Sequence, residues 1–475
     1  MDPALAAESC DTVFRYTARG SPSAVYLAGP FNDWSTTATP MEKDGNSWVA
    51  SVNLPEGAWP YKVIEVSGGS SSWSCNPDEE QFQCDEGYTW DPSCAPGGAS
   101  CNSLKVVQGC GEGSLALSEL QIDRDTFSLS TKILVKSQVS NGWVSLDGEK
   151  LSLDTSSDTW VVSTTGLGAG RHTLRAGGDG VEELYLPFWM DGGSWEQGLL
   201  YYAFVDRFSN GDPGLDGSEG VSSAAGDYKG GDWQGVIDRL DYLESLGVTA
   251  IWLTAPWDNA DGAWAGDCGV TLSGYHGYWP ASDSNFESHF GDEATLKALI
   301  NAAHAKNMRV LVDWVGNHLH SEHPWVEEHP DWFTPQHICK EDDDGNGVVN
   351  WDQRPETCWF AGYLPDLNYY QTEPLQAMVD DAIQFAKDYE IDGYRVDAVK
   401  HMPQSVHWNM QSRIRSEIEH RAAGGDEDFY TVGETFTPDR GLISAYIGER
   451  ELDGQFDFPL YWGIVAAFAR DEIGL

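Results

Sequence analysis

Short runs in which apolar and polar residues alternate occupy positions 12 to 66: AVYLAG, PFNDW, SWVASVNLP and AWPYKVIEV. A period of two sends one face of each run into a core and the other into water, so these runs predict a small β-sandwich. The alternation returns from Leu115 to Leu186 in TKILVKS, GWVSL, WVVSTT and HTLRA, with Gly and Asp turns between them and nothing that carries chemistry. Beyond PFWMDGGSWEQ the pattern changes. LYYAFVDR, AIWLT, RVLVDWV, DGYRVD and FYTVGE are now separated by segments of helical period such as TLKALINAAHAK and EPLQAMVDDAIQFAKDY. Alternating strand and helix marks a parallel sheet or barrel. The expected organisation is multidomain: a β-sandwich over 10–110, a second β-rich domain over 111–195, and a (β/α)8 TIM barrel over 196–475.

Composition narrows the partners. With 28 basic against 75 acidic residues the formal charge is −47. That charge repels phosphate backbones and anionic lipid, which argues against nucleic acid and membrane surfaces and in favour of a neutral ligand or a cation. It suits a salty habitat or plain solubility equally. The 21 Trp exceed ordinary use and fit flat apolar ligands such as sugar rings, although core packing is the commoner use of any one of them. Six of the nine cysteines fall between Cys10 and Cys110, and residues 67 to 110 are a Gly/Ser/Cys-rich stretch that a hydrophobic core alone would hardly hold. No C-x2-C pair suggests zinc, so disulfides of an oxidising compartment are expected, with their pairing open. The protein is expected to be secreted, periplasmic or at the cell surface. The opening MDPALAAESC has no leader pattern, so any signal peptide is expected to have been removed. Oligomeric state is not legible.

The candidate chemistry lies where the barrel strands end. Asp313, Asp397 and Glu434 close three of them, and strand ends of a barrel converge on one rim. Cleaving a glycosidic bond takes one carboxylate at the anomeric carbon and one carboxylic acid for the departing oxygen. Asp397 and Glu434 supply that pair. Arg395 projects from the same strand face as Asp397, and its fixed positive charge would favour the ionised form a nucleophile needs, while Glu434 has fewer cations nearby in sequence. An ordinary ion pair at the barrel rim is the competing explanation.

The surrounding words decide between them. Asp313-Trp-Val-Gly-Asn317-His318, Gly393-Tyr-Arg395-Val-Asp397-Ala-Val-Lys400-His401 and Gly433-Glu434 resemble, in order and spacing, the first three signature segments of the alpha-amylase superfamily. Ala250-Ile-Trp252-Leu253, Tyr275-His276-Gly277-Tyr278-Trp279 and Leu364-Pro365-Asp366-Leu367-Asn368 strengthen the resemblance, which covers roughly residues 196 to 460. It implies a retaining double displacement with Asp397 as nucleophile and Glu434 as acid, then base. It further implies that Tyr278 stacks on the sugar, that His276, His318, Trp279, Asp313 and Arg395 surround it, and that Lys400 and His401 lie on the leaving-group side. Through Phe31-Asn32-Asp33-Trp34, the Trp48-to-Pro55 strand and Trp59-Pro60-Tyr61-Lys62, aromatic positions that also suit a core, the first sandwich is similar to starch-binding-type immunoglobulin-like modules.

Calcium is the expected metal. Asn210, Asp212, Asp216, the Gly230 carbonyl and Asp232 cluster the oxygen ligands of a hard cation, and resemble the first-loop calcium site of neopullulanases and cyclomaltodextrinases, with Leu215 where a further Asn is usual. A second calcium is implied by resemblance to fungal-type amylases at Asn317, Asp366 and the His401 carbonyl. There the barrel meets an excursion, 319–363, whose Cys339 and Cys358 resemble a disulfide pair of such enzymes. Asp342-x-Asp344-x-Asn346-Gly347 opens like an EF-hand, but Gln353 stands where a bidentate Glu is needed, so a turn is expected. After Glu434 one more strand, near Gly454–Pro459, and one helical run follow, without the superfamily's fourth segment and its third carboxylate. An incomplete barrel of about six strands is therefore expected, with the gene continuing past Leu475. The resemblance implies an α-glucan substrate: starch, maltodextrin, pullulan or cyclodextrin. Hydrolysis, transglycosylation on the same scaffold, and glucan binding without catalysis are the three activities considered, and the dyad argues against the last.

Overall fold

The computed structural model describes residues 9–470 apart from 88–100, 108–109, 111–112, 137–138, 191–194, 267–268, 283 and 427–428. The N-terminal unit packs a three-stranded sheet (Ser9–Tyr16, Ser47–Pro55, Glu42–Asp44) on a sheet built around the long strand Gly57–Ser67. Phe14, Tyr16, Val25, Leu27, Tyr61 and Val63 fill the space between, at the alternate positions a pleated strand turns inward. Trp48 and Tyr61 belong to that core, whereas Trp34 and Trp73 are exposed. PFNDW is not a strand. It forms a 3-10 turn over Pro30–Asn32, with Asp33 and Trp34 left-handed and the Asn32 amide bonded to the Leu27 carbonyl and Thr39.

The Cys-rich stretch contributes Ser70–Ser74, Phe82–Cys84 and Cys101–Val107 to the second sheet, and disulfides Cys10–Cys110 and Cys84–Cys101 staple it. Through it this unit reaches the barrel: Phe82 meets Trp408 edge-on at 6.2 Å, and Gln83 Nε2 donates to the Tyr370 carbonyl at 2.7 Å. The second unit is also antiparallel. Ser114–Asp123, Ser128–Lys136 and Thr159–Thr165 form one sheet, and Ser140–Leu146, Arg171–Asp179 and Leu184–Trp189 are the main strands of the other.

The third unit is a partial barrel of six parallel strands in chain order: β1 (Leu200–Ala203), β2 (Ala250–Leu253), β3 (Arg309–Trp314), β4 (Gly393–Val396), β5 (Tyr430–Gly433) and β6 (Gly454–Gln455). Every residue of β3 is buried, as expected of a strand covered on both faces. Helices α1 (Glu293–His304) and α2 (Thr372–Tyr389) lead into β3 and β4; Asp292 caps α1 by accepting from Thr295 N at 2.8 Å. LYYAFVDR is shorter as a strand than its pattern suggests. The chain leaves β1 at Ala203 and turns helically over Val205–Phe208, because the Asp206 carboxylate is buried and bonded to the backbone amides of Lys229 and Gly230.

The second unit grips this barrel from below. Arg171 reaches the turn between α2 and β4, pairing with Asp392 at 3.2 Å and Glu390 at 2.8 Å. Asp392 also accepts from His304 Nε2 at 2.7 Å, Trp189 Nε1 at 3.2 Å and Val310 N at 2.8 Å. The domain that carried no chemistry in sequence thus supplies a charged anchor to the strand leading into the site.

Candidate active site

Parallel registers bring the strand-end acids together. Asp313 pairs with Arg395 across β3 and β4, so both point into the barrel. Backbone bonds then fix the two residues that follow β4 and β5: Asp397 N donates to the Trp314 carbonyl at 3.0 Å, and Glu434 N to that of Val396 at 2.9 Å. Ala398 is left-handed at φ 49°, an uncommon conformation for alanine, and starts the tight turn Val399–His401.

One guanidinium joins the three acids. Arg395 Nη1 donates to Asp313 Oδ1 at 2.6 Å and Asp397 Oδ1 at 2.7 Å; Nη2 donates to Glu434 Oε2 at 2.6 Å. Glu434, with fewer cations nearby in sequence, shares in three dimensions the one that pairs with Asp397. Glu434 is nevertheless pushed up to about 7, chiefly by burial, against the pull of Arg395 and with help from the charges of Asp397 and Asp313 and a hydrogen bond to Asp397. Asp313 is likewise raised to about 6, first by burial. Three carboxylates around one cation leave an excess of negative charge, which a proton on one of them relieves.

Hydrogen bonds assign the histidines. His276 Nδ1 accepts from Tyr278 N at 3.0 Å, which leaves the proton on Nε2, and burial, helped by His318 and Arg207, lowers its pKa to about 3. His318 Nε2 lies 3.0 Å from the Tyr278 carbonyl, an acceptor only, so that nitrogen carries the proton. Tyr278 donates to Asp313 Oδ2 at 2.9 Å. Trp279 differs from expectation. It is 5 % exposed and packs edge-on against His276 at 4.5 Å and Tyr363 at 5.5 Å, a buried support and no open face for a sugar. His401 is also interior, its ring edge-on to Trp351 and Phe360 with Nδ1 bonded to the Pro355 carbonyl, while the Lys400 ammonium lies 4.3 Å from the centre of the Trp351 ring. Cys339 and Cys358 beside His401 are joined to each other, so the trio is no metal centre.

Both expected calcium sites contain oxygen atoms that suit a cation. At the first, Asn210 Nδ2 bonds Asp216 Oδ1 at 2.7 Å, and a Cβ placed on Gly230 would fall 2.3 Å from that oxygen; the three converge on a space only a glycine leaves open. Asp212 and Asp232 close the same loop, Asp232 by accepting from Gly211 N and Asp212 N. At the second, Asn317 Oδ1 and Asp366 Oδ1 are buried and without a hydrogen-bond partner. Burial pushes the Asp366 acid well above its usual range, a cost that a cation would remove. Asp342 and Asp344 form a closed turn as expected: Asp342 accepts from Asn346 N and Gly347 N, and Asp344 pairs with Arg354.

Three aromatic residues went unremarked in sequence as site residues. Tyr202, Trp252 and Phe456 lie beside Arg395 and Asp313. A period of two back from Asp313 reaches only Leu311; the register of β2 against β3 is what sets Trp252 beside it.

The family described as alpha amylase, catalytic domain, matches residues 202–473. The beta/alpha-amylase of Paenibacillus polymyxa is 31% identical over 291 residues, 58% of this chain and 22% of that protein. The cyclomaltodextrin glucanotransferase of Klebsiella oxytoca is 32% identical over 282 residues, 54% of this chain and 39% of that protein. An Anoxybacillus alpha-amylase of known structure is 33% identical, with 58% of this chain and 55% of that one covered at a TM-score of 0.49. The chain spans from about a fifth to about half of the length of the curated relatives it matches. With the acids on consecutive strand ends and more than half of the chain matched, the protein belongs to the alpha-amylase family.

Proposed function

We propose that the protein is a retaining glycoside hydrolase of α-glucans. Asp397 attacks the anomeric carbon, and Glu434 gives its proton to the departing glycosidic oxygen. Glu434 then takes a proton from water as that water releases the sugar from Asp397. Arg395 stays charged throughout and stabilises whichever acid is ionised. His276 and His318 are neutral, and His276 has an N–H free to bond a sugar hydroxyl. Lys400 and Tyr278 are the contacts on either side.

The observation that carries this reading is the single guanidinium shared by the two acids, Arg395 Nη1 on Asp397 Oδ1 at 2.7 Å and Nη2 on Glu434 Oε2 at 2.6 Å, with Glu434 raised to about 7. Calcium would be held by Asn210, Asp212, Asp216, the Gly230 carbonyl and Asp232, and by Asn317, Asp366 and the His401 carbonyl. Its charge would pin the first loop and the 319–363 excursion to the barrel. Three disulfides among the described residues support a secreted, periplasmic or cell-surface protein, and no helix among the described residues is long and apolar enough to cross a membrane.

Transglycosylation is the second reading, favoured by the several cyclomaltodextrin glucanotransferases among the relatives. Incubation with starch, pullulan and cyclodextrin, with and without glucose as acceptor, tests both. Retention of the α-anomer with water as the main acceptor supports hydrolysis; longer products that depend on glucose support transfer; the β-anomer sinks the retaining mechanism.

A further inference from the structure

An uncharged layer lies directly beneath the acids. Tyr202 of β1 pairs with Trp252 of β2, and Trp252 with Leu311 of β3, two residues before Asp313; strand period turns all of them to the barrel interior. The Tyr202 and Trp252 rings stack at 3.7 Å, and Phe456, just past β6, lies 5.5 Å from Trp252. The Arg395 guanidinium carbon is 5.2 Å from the centre of the Trp252 ring and 5.8 Å from that of Phe456. Its Nη atoms are committed to carboxylates, while its buried Nε has no hydrogen-bond partner. An aromatic neighbourhood is one of the few settings in which a buried guanidinium keeps such a group, because the ring quadrupole attracts its charge.

We propose that Trp252 and Phe456, both half-buried, are positioning residues of the reaction: they form an aromatic floor for Arg395, fix how its Nη groups are divided among Asp313, Asp397 and Glu434, and limit the hydration of the guanidinium. The proposal rests on the hydrolytic reading of the Asp397–Glu434 pair. Without the floor, Arg395 gains both freedom and hydration, and each charged contact weakens as water enters. Burial is the first cause of the raised Glu434 acid, whose charged or titratable neighbours are Arg395, Asp397 and Asp313, with Tyr278 and Tyr202 around Asp313. Wetting the floor should therefore bring Glu434 down.

The test uses the full chain with Trp252→Leu, Phe456→Leu and the conservative Trp252→Phe. In the pH profile of maltodextrin hydrolysis, the alkaline limb should move to lower pH in both Leu variants, and kcat should fall about tenfold with KM little changed, the scale of one desolvated cation–π contact. Trp252→Phe should restore both. A second readout needs no turnover: the difference in melting temperature between each protein and its Glu434→Gln counterpart, followed against pH. An acid raised from 4.5 to about 7 stabilises the fold fully below the lower value and loses that contribution as pH rises through the upper one. The floor variants should lose it at lower pH than the wild type. An unmoved limb and an unmoved crossover would overturn the proposal, as would Trp252→Phe behaving like Trp252→Leu. Should Trp252→Leu fail to fold, Phe456→Leu decides. Failure of the underlying reading shows separately, as turnover retained by Asp397→Asn.

Discussion

Replacing Arg171 with Met should loosen the barrel far from the site of change. The Arg171 and Asp392 side chains are each 3% exposed and pair at 3.2 Å. Removing one partner of a buried ion pair typically costs about 3–5 kcal/mol, because the other charge stays buried and uncompensated. Here Asp392 keeps His304, Trp189 and the Val310 amide as donors, which favours the lower end, while Glu390, Thr173 and the Tyr185 hydroxyl also lose the guanidinium. The expected loss is therefore about 3 kcal/mol in a urea titration followed by tryptophan fluorescence. The pH dependence has a definite sign. The Asp392 carboxyl is buried, which by itself would raise it, yet His304, Arg171 and the Val310 amide together hold it below its usual range. A depressed acid stabilises the fold above its unfolded pKa and loses that contribution as pH falls through the folded value. The gap between wild type and Arg171→Met should thus be constant from neutral pH to about 5 and close in stronger acid. A loss below about 1 kcal/mol at neutral pH would show that the anchor is hydrated and adds little, and would refute the reasoning.

Asp397→Asn and Glu434→Gln should each remove nearly all turnover, several kcal/mol of transition-state stabilisation; near-normal turnover in a folded Asp397→Asn protein rejects the assignment. Chelation should lower the melting temperature and Asp216→Ala should blunt that response, since an ion bound only by the native state stabilises by mass action; an unchanged melting temperature with no metal by elemental analysis makes the Asn210–Asp232 cluster a plain turn. Cys339→Ser with Cys358→Ser opens a loop of sequence separation 19 and should cost roughly 3 kcal/mol by loop entropy, read in the same urea titration.

The sequence exposed what obeys a short period or a short spacing. Period two marked the sandwich strands, and the change to helical period marked the barrel. The words around Asp313, Arg395, Asp397 and Glu434 named the site because each strand carries its acid within a few residues. Features set by the meeting of distant segments stayed hidden. Nothing near Glu434 in the chain announces Arg395, 39 residues earlier, yet parallel pairing of β4 with β5 places the guanidinium on both acids. Trp279 sits in a motif that suggests sugar contact, but the return of the 319–363 excursion, with Tyr363, covers it. Arg171 looks like an ordinary exposed strand residue until Asp392, 221 residues later, is brought against it.

The same distinction explains why the acids can differ in proton affinity at all. Sequence placed the carboxylates on neighbouring strands, where similar environments would give similar acids. What raises Asp313 and Glu434 is the depth and company each finds in three dimensions: Asp313 buried, bonded to Tyr278 and on the Nη1 that also holds Asp397; Glu434 on Nη2 alone. Arg395 offers one positive charge to the three carboxylates it contacts, which leaves the cluster with an excess of negative charge. A proton has to remain in the cluster, and the acid raised to about 7 by burial and by its ionised neighbours is the one best suited to keep it at neutral pH. The division of roles between nucleophile and acid therefore depends on where Arg395 lies, and any residue that fixes Arg395 takes part in setting it.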